Sequence, residues 1–129
     1  MLIPIKTKHR PEATPWATYT LMALNVAAFL LTSNGFVVYE HMVQAYALKS
    51  NHFHPLNLLT SMFMHGDVFH LLGNMLFLWV FGPAVEGRLR TFGFSTMYAA
   101  SGIAGSLLHH WVVGLQEPNI PSLGASGAI

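Results

Sequence analysis

Ser126 lies in Gly124-Ala125-Ser126-Gly127, and its hydroxyl is a candidate nucleophile. A serine hydroxyl is weak until a base takes its proton, and the oxyanion formed by its attack on a carbonyl must be met by fixed hydrogen-bond donors. Candidate donors lie upstream. His70 and Asn74 are four residues apart in an apolar stretch, so a helix places them on one face, roughly 6 Å apart along its axis. Each carries a side-chain N–H, and together they can grip one oxygen. The backbone N–H of Ser126, at the positive end of a helix dipole, is a third candidate. Gly124 allows a tight turn into that helix and Gly127 allows another helix to come close. The chemistry these residues suggest is acyl transfer, although Gly-x-Ser-Gly by itself is better explained by close helix packing.

Other residues offer weaker chemistry. Ser106 and His110 share a helix face, but no oxyanion donors accompany them. The chain has 8 histidines, and His52, His54, His65 and His70 invite a metal hypothesis. A site needs three or four ligands at bonding distance, and no His-Glu-x-x-His helix is present, so His52 and His54 read as loop residues. With 0 cysteines, a thiol nucleophile, thiolate metal site or disulfide framework is excluded. A net charge of +1 from scattered residues gives no footprint for nucleic acid.

The elements that must position Ser126, His70 and Asn74 are apolar. Charged residues make up 9% of the chain, against roughly 25% in a soluble domain. No formal charge occurs between Glu12 and Glu40, Asp67 and Glu86, or Arg90 and Glu117. Each gap is long enough to cross about 30 Å of hydrocarbon. The expected fold is all-α, a polytopic transmembrane helix bundle of three full spans and the start of a fourth, in a single partial membrane domain over 1–129. Residues 1–15 form a cytoplasmic tail, 16–38 span 1, 39–66 an outer loop and 67–85 span 2. Residues 86–91 form a cytoplasmic loop, 92–114 span 3, 115–121 an outer loop and 122–129 the start of span 4.

Basic residues set the orientation. Lys6, Lys8, Arg10, Arg88 and Arg90 fall on one side and only Lys49 on the other, which makes the N-terminus cytoplasmic. Ser126, His70 and Asn74 then all lie toward the outer face. The outer loop holds Phe53, Leu56, Leu58, Leu59, Met62, Phe63 and Met64, broken by Pro55 and Asn57, and is either re-entrant or a surface amphipathic helix. Asp67 reads as a helix N-cap, and Asn25 as a residue bonding across helices. Trp16, Tyr19 and Trp111 fit interfacial belts.

The combination His65-(x4)-His70-(x3)-Asn74, then Glu86-Gly87-Arg88, then Gly124-Ala125-Ser126-Gly127 resembles the rhomboid family of intramembrane serine proteases. The resemblance runs from about Thr14 to Ile129. It implies a six-helix core in which a serine opening the fourth span works with a histidine on the sixth. By position, Ser126 matches the nucleophile, His70 and Asn74 the oxyanion-stabilising side chains, and His65 a supporting polar residue. Gly124 and Gly127 support the serine, and Glu86 and Arg88 match a structural Glu-x-Arg element at the far end of span 2. The expected activity is endopeptidase cleavage of single-span membrane proteins within the lipid bilayer, with no metal or organic cofactor.

On this resemblance the fifth and sixth spans and the base histidine fall beyond Ile129. The chain therefore reads as an N-terminal fragment of a longer protein, inactive alone. The short basic tail points to a bacterial inner (plasma) membrane. The alternative is a non-catalytic rhomboid-like protein that binds transmembrane partners, for which Ser126, His70 and Asn74 together would have no use.

Overall fold

A computed structural model describes residues 13–129, with only the backbone of Ser126. Lys6, Lys8 and Arg10 lie outside the described residues. The described chain is helical, and its extended pairings are isolated bridges.

Helix α1 spans Trp16–Thr32 and begins after Pro15, which supplies no side-chain cap. Its first N–H groups find a partner far along the chain. Ala17 N donates to Glu86 Oε1 at 2.9 Å, Thr18 N donates to Oε2 at 2.8 Å, and the Thr18 hydroxyl donates to the same oxygen at 2.8 Å. The Thr91 hydroxyl donates to Oε1 at 2.9 Å. A buried carboxylate with four donors, placed against the positive end of a helix, is well compensated.

The first span was expected to reach residue 38, but α1 ends at Thr32. Ser33-Asn34-Gly35 overrides the apolar residues that follow. The Ser33 hydroxyl bonds back to Phe29 O at 2.6 Å, and Asn34 Oδ1 accepts from Phe36 N at 3.0 Å and Val37 N at 2.9 Å. Such local side-chain bonds compete with helix and reverse the chain. Val37 then bridges to Asp67, which brings the end of α1 beside the start of the second apolar stretch.

The outer loop contains α2, Glu40–Tyr46, then α3, Asn57–Thr60, then a 3-10 turn, Ser61–Phe63. Phe53, Leu56 and Leu59 are exposed, whereas Ser61, Met62, Met64 and His65 are buried. The loop thus has an exposed apolar front and a rear that belongs to the core.

Helix α4, Val68–Val112, is capped by Asp67, whose Oδ1 accepts from His70 N at 2.8 Å. This is the one described helix long and apolar enough, by length and composition, to cross a membrane. It is broken at Arg90, with φ 62 and ψ 169. Instead of a connecting loop over 86–91, helix continues on both sides of this single residue and leaves two arms, 68–89 and 91–112. Both His70 and Gly105 approach the turn that contains Ser126. On a straight helix they would be about 52 Å apart, so the arms must fold back on each other at Arg90.

The core joins α1, both arms and the serine turn through Phe29, Met62, Leu71, Met75, Leu78, Phe94, Tyr98 and Ala125. Asn25 donates to Leu21 O at 2.7 Å and to the Tyr98 hydroxyl at 3.4 Å, so it does bond across helices. Trp16, Phe69, Trp79, Phe92, Leu108 and Trp111 point outward. So much large apolar side chain on the outside is a liability in water and suits a lipid environment.

Candidate active site

Asp67 fixes the first turn of α4, and with it the directions of His70 and, one turn later, Asn74. Gly66 N–H faces His70 Nδ1 at 3.5 Å, an arrangement that suits a ring proton on Nε2. Both side chains are aimed at Gly124. A β-carbon placed there would lie 2.6 Å from His70 Cε1, 2.7 Å from Nε2 and 3.6 Å from Asn74 Nδ2. Gly124 also has φ 107, a left-handed conformation that side chains rarely adopt. Asn74 Nδ2 is buried and makes no hydrogen bond among the described residues.

The serine turn is held on its other sides by backbone. Gly124 N donates to Ser61 O at 2.8 Å, and Ala125 is fully buried. A β-carbon on Gly105 would meet Gly127 Cα at 3.1 Å, so the turn lies directly on the glycine surface of the 91–112 arm. Where a helix was expected to start at 122, residue 122 is extended and paired with Leu48, and Ala125–Gly127 form one 3-10 turn. Ala128 N and Ile129 N both return to Ala125 O, at 2.9 and 3.1 Å. The Ser126 side chain lies outside the described residues, so the structure places its backbone two residues from the point where His70 and Asn74 converge.

His65 is fully buried, with its ring edge-on to His70 at a centroid distance of 5.2 Å. Nδ1 lies 3.3 Å from Phe63 O, and Nε2 has no partner among the described residues. Burial, reinforced by the neighbouring His70 and opposed by the Phe63 carbonyl, lowers the pKa of His65 from 6.5 to about 4. The ring is neutral at physiological pH.

The remaining candidates are dispersed. Glu86 caps α1 and Arg88 is exposed; Glu86 lies sixteen residues along the helix from His70, about 24 Å away. His110 bonds to Ser50, at 2.8 Å, rather than to Ser106, and its ring lies 5.0 Å from that of Phe53. His52 and His54 stay on the exposed loop. Sequence reasoning missed Ser61 and Leu48, because both act through backbone atoms that leave no side-chain signature.

The rhomboid domain family model matches residues 52–129. The chain is 35% identical over 136 residues to rhomboid protein 1, mitochondrial, of Saccharomyces cerevisiae, covering 98% of this chain and 39% of the relative. It is 35% identical over 120 residues to rhomboid protease GluP of Bacillus subtilis, covering 89% and 23%. Against rhomboid-like protein 11, chloroplastic, of Arabidopsis thaliana the identity is 30% over 129 residues, covering 96% and 42%. The chain therefore spans less than half the length of each of these relatives. No solved structure matches it. With the family model covering more than half of its length, the chain belongs to the rhomboid family.

Proposed function

We propose that this integral membrane chain supplies the nucleophile and oxyanion donors of an intramembrane serine endopeptidase. The reading rests above all on the convergence of His70 Nε2 and Asn74 Nδ2 on Gly124. The Ser126 hydroxyl attacks the carbonyl carbon of a substrate peptide bond, and a histidine from outside these 129 residues takes its proton. The resulting oxyanion is held by the two side chains on α4 and by the Ser126 backbone N–H. The same histidine returns the proton to the leaving amine, and water then hydrolyses the acyl-enzyme.

His65 keeps a neutral, edge-on ring against His70 and so limits how far that imidazole can turn. In a medium that leaves unpaired donors costly, an Asn74 amide without a partner among the described residues, beside the serine turn, is free to meet an oxygen that arrives during the reaction.

In the same proposal the chain contributes three spans and the start of a fourth, taken as 16–32, 68–89, 91–112 and the segment from the 3-10 turn at Ala125. The site opens to the outer face of a bacterial inner membrane, and the substrates are single-span membrane proteins. The matched relatives include a bacterial protein as well as mitochondrial and chloroplastic ones.

Labelling the full-length protein with a fluorophosphonate tests the assignment. Labelling should disappear in Ser126→Ala and fall strongly in His70→Ala and Asn74→Ala. A parent that fails to label, with Ser126→Ala indistinguishable from it, would favour the alternative, a non-catalytic scaffold for transmembrane partners.

A further inference from the structure

The outer loop touches the segment leading to Ser126 at more points than a passive connection needs. Leu48 N donates to Ser122 O at 3.1 Å, and Ser122 N returns the bond to Leu48 O at 2.8 Å. Asn51 N donates to Pro118 O at 3.2 Å, and the Asn51 amide donates to Asn119 Oδ1 at 2.6 Å. Further along the loop, Ser61 O takes the Gly124 N–H at 2.8 Å. Residues 118–124 are therefore held at both ends by the same loop.

That loop is itself fastened to the 91–112 arm. Ser50 Oγ and His110 Nδ1 are 2.8 Å apart, with Phe53 against the far side of the imidazole. The pair has the composition of a second nucleophile and base, but it sits at a packing contact. Ser50 Oγ lies so close over Gly114 that a β-carbon on that glycine would collide with it, so the pair ties the loop to the end of the 91–112 arm. The pair is a joint.

We infer that the outer loop is a closed clasp that sets the position of the serine turn, with Ser50, His110, Asn51 and Asn119 as positioning residues. The inference deepens the protease reading above and rests on it for its kinetic consequences, though not for its structural ones. The turn carries its nucleophile on a single 3-10 turn, and a displacement of about 1 Å at a reacting atom can cost on the order of 100-fold in rate. Holding 118–124 from the loop side fixes Ser126 relative to His70 and Asn74 without touching substrate. The clasp therefore acts on turnover and not on substrate affinity.

The test uses the full-length protein and two independent readouts. His110→Leu should lower kcat on the order of 10-fold, the scale of one lost hydrogen bond, with KM within about twofold. His110→Asn, which puts an oxygen where Nδ1 was, should restore it. Amide exchange at Ser122 and Gly124 should accelerate by a similar factor in His110→Leu and return in His110→Asn. These 129 residues contain 0 cysteines, which simplifies the second arm. Asn51→Cys with Asn119→Cys should lower kcat, and a short bis-thiosulfonate bridge between the two should restore it. Unchanged exchange in His110→Leu, or activity abolished by the bridge, would overturn the clasp, the latter because the loop would then have to open. Absence of turnover in the parent protein would instead defeat the protease reading, and the exchange rates would still decide the clasp.

Discussion

Gly124 is constrained twice, by its backbone angle and by the two side chains pressed against it. With φ 107 and His70 Cε1 2.6 Å from the place of a β-carbon, Gly124→Ala forces either the turn or the imidazole to move. Turnover in the full-length protein should fall by at least about 100-fold, as expected of a misplaced nucleophile. His70→Ala and Asn74→Ala should each lower kcat on the order of 100- to 1000-fold, the usual cost of one oxyanion donor. His65 makes a different prediction. Its folded pKa, about 4, lies below the ordinary 6.5, so the unfolded state binds more protons between those values. Its contribution to stability is complete above pH 6.5 and is lost as pH falls toward 4. Unfolding in detergent, followed across that window, should show a slope that His65→Gln flattens.

At the scale of elements, the decisive contact is a carboxylate capping a helix it does not belong to. Glu86 is 4% exposed and accepts four hydrogen bonds, three of them from the first turn of α1. Glu86→Gln replaces one acceptor oxygen with a donor facing other donors. It should destabilise the fold on the order of 3 kcal/mol in a reversible unfolding measurement. The catalytic rate per folded molecule should stay the same, because the cap is about 24 Å along the helix from His70.

These contacts also mark how far the sequence could be read. The four-residue spacing of His70 and Asn74, the Asp67 cap and the apolar stretches were legible, because each is a local pattern with a local cause. The end of α1 at Thr32 was written in Ser33-Asn34-Gly35, but the apolar residues after it masked that signal. Arg90 as a one-residue break has no composition cue of its own. The partnership of Glu86 with Thr18 and the hold of Leu48 and Ser61 on the serine segment join residues distant in sequence. Such pairings become visible only when the helices are packed.

For the whole molecule, the outward Trp, Phe and Leu side chains define a body suited to lipid, with His70 and Asn74 converging on Gly124 at one end. These 129 residues carry no cysteine, so single substitutions within them report topology cleanly once any cysteine elsewhere in the full-length protein is replaced. In intact cells, Glu117→Cys should react with an impermeant maleimide, whereas Arg88→Cys should react only after the membrane is opened. On the proposed orientation the serine turn, His70 and Asn74 lie together at the outer end. The most direct test of that assembly is the structure of the full-length protein with a phosphonate covalently bound at its reactive serine. The account predicts an adduct on Ser126 whose phosphonyl oxygen lies within about 3 Å of both His70 Nε2 and Asn74 Nδ2. An adduct on another serine, or an oxygen on Ser126 directed away from both side chains, would contradict it.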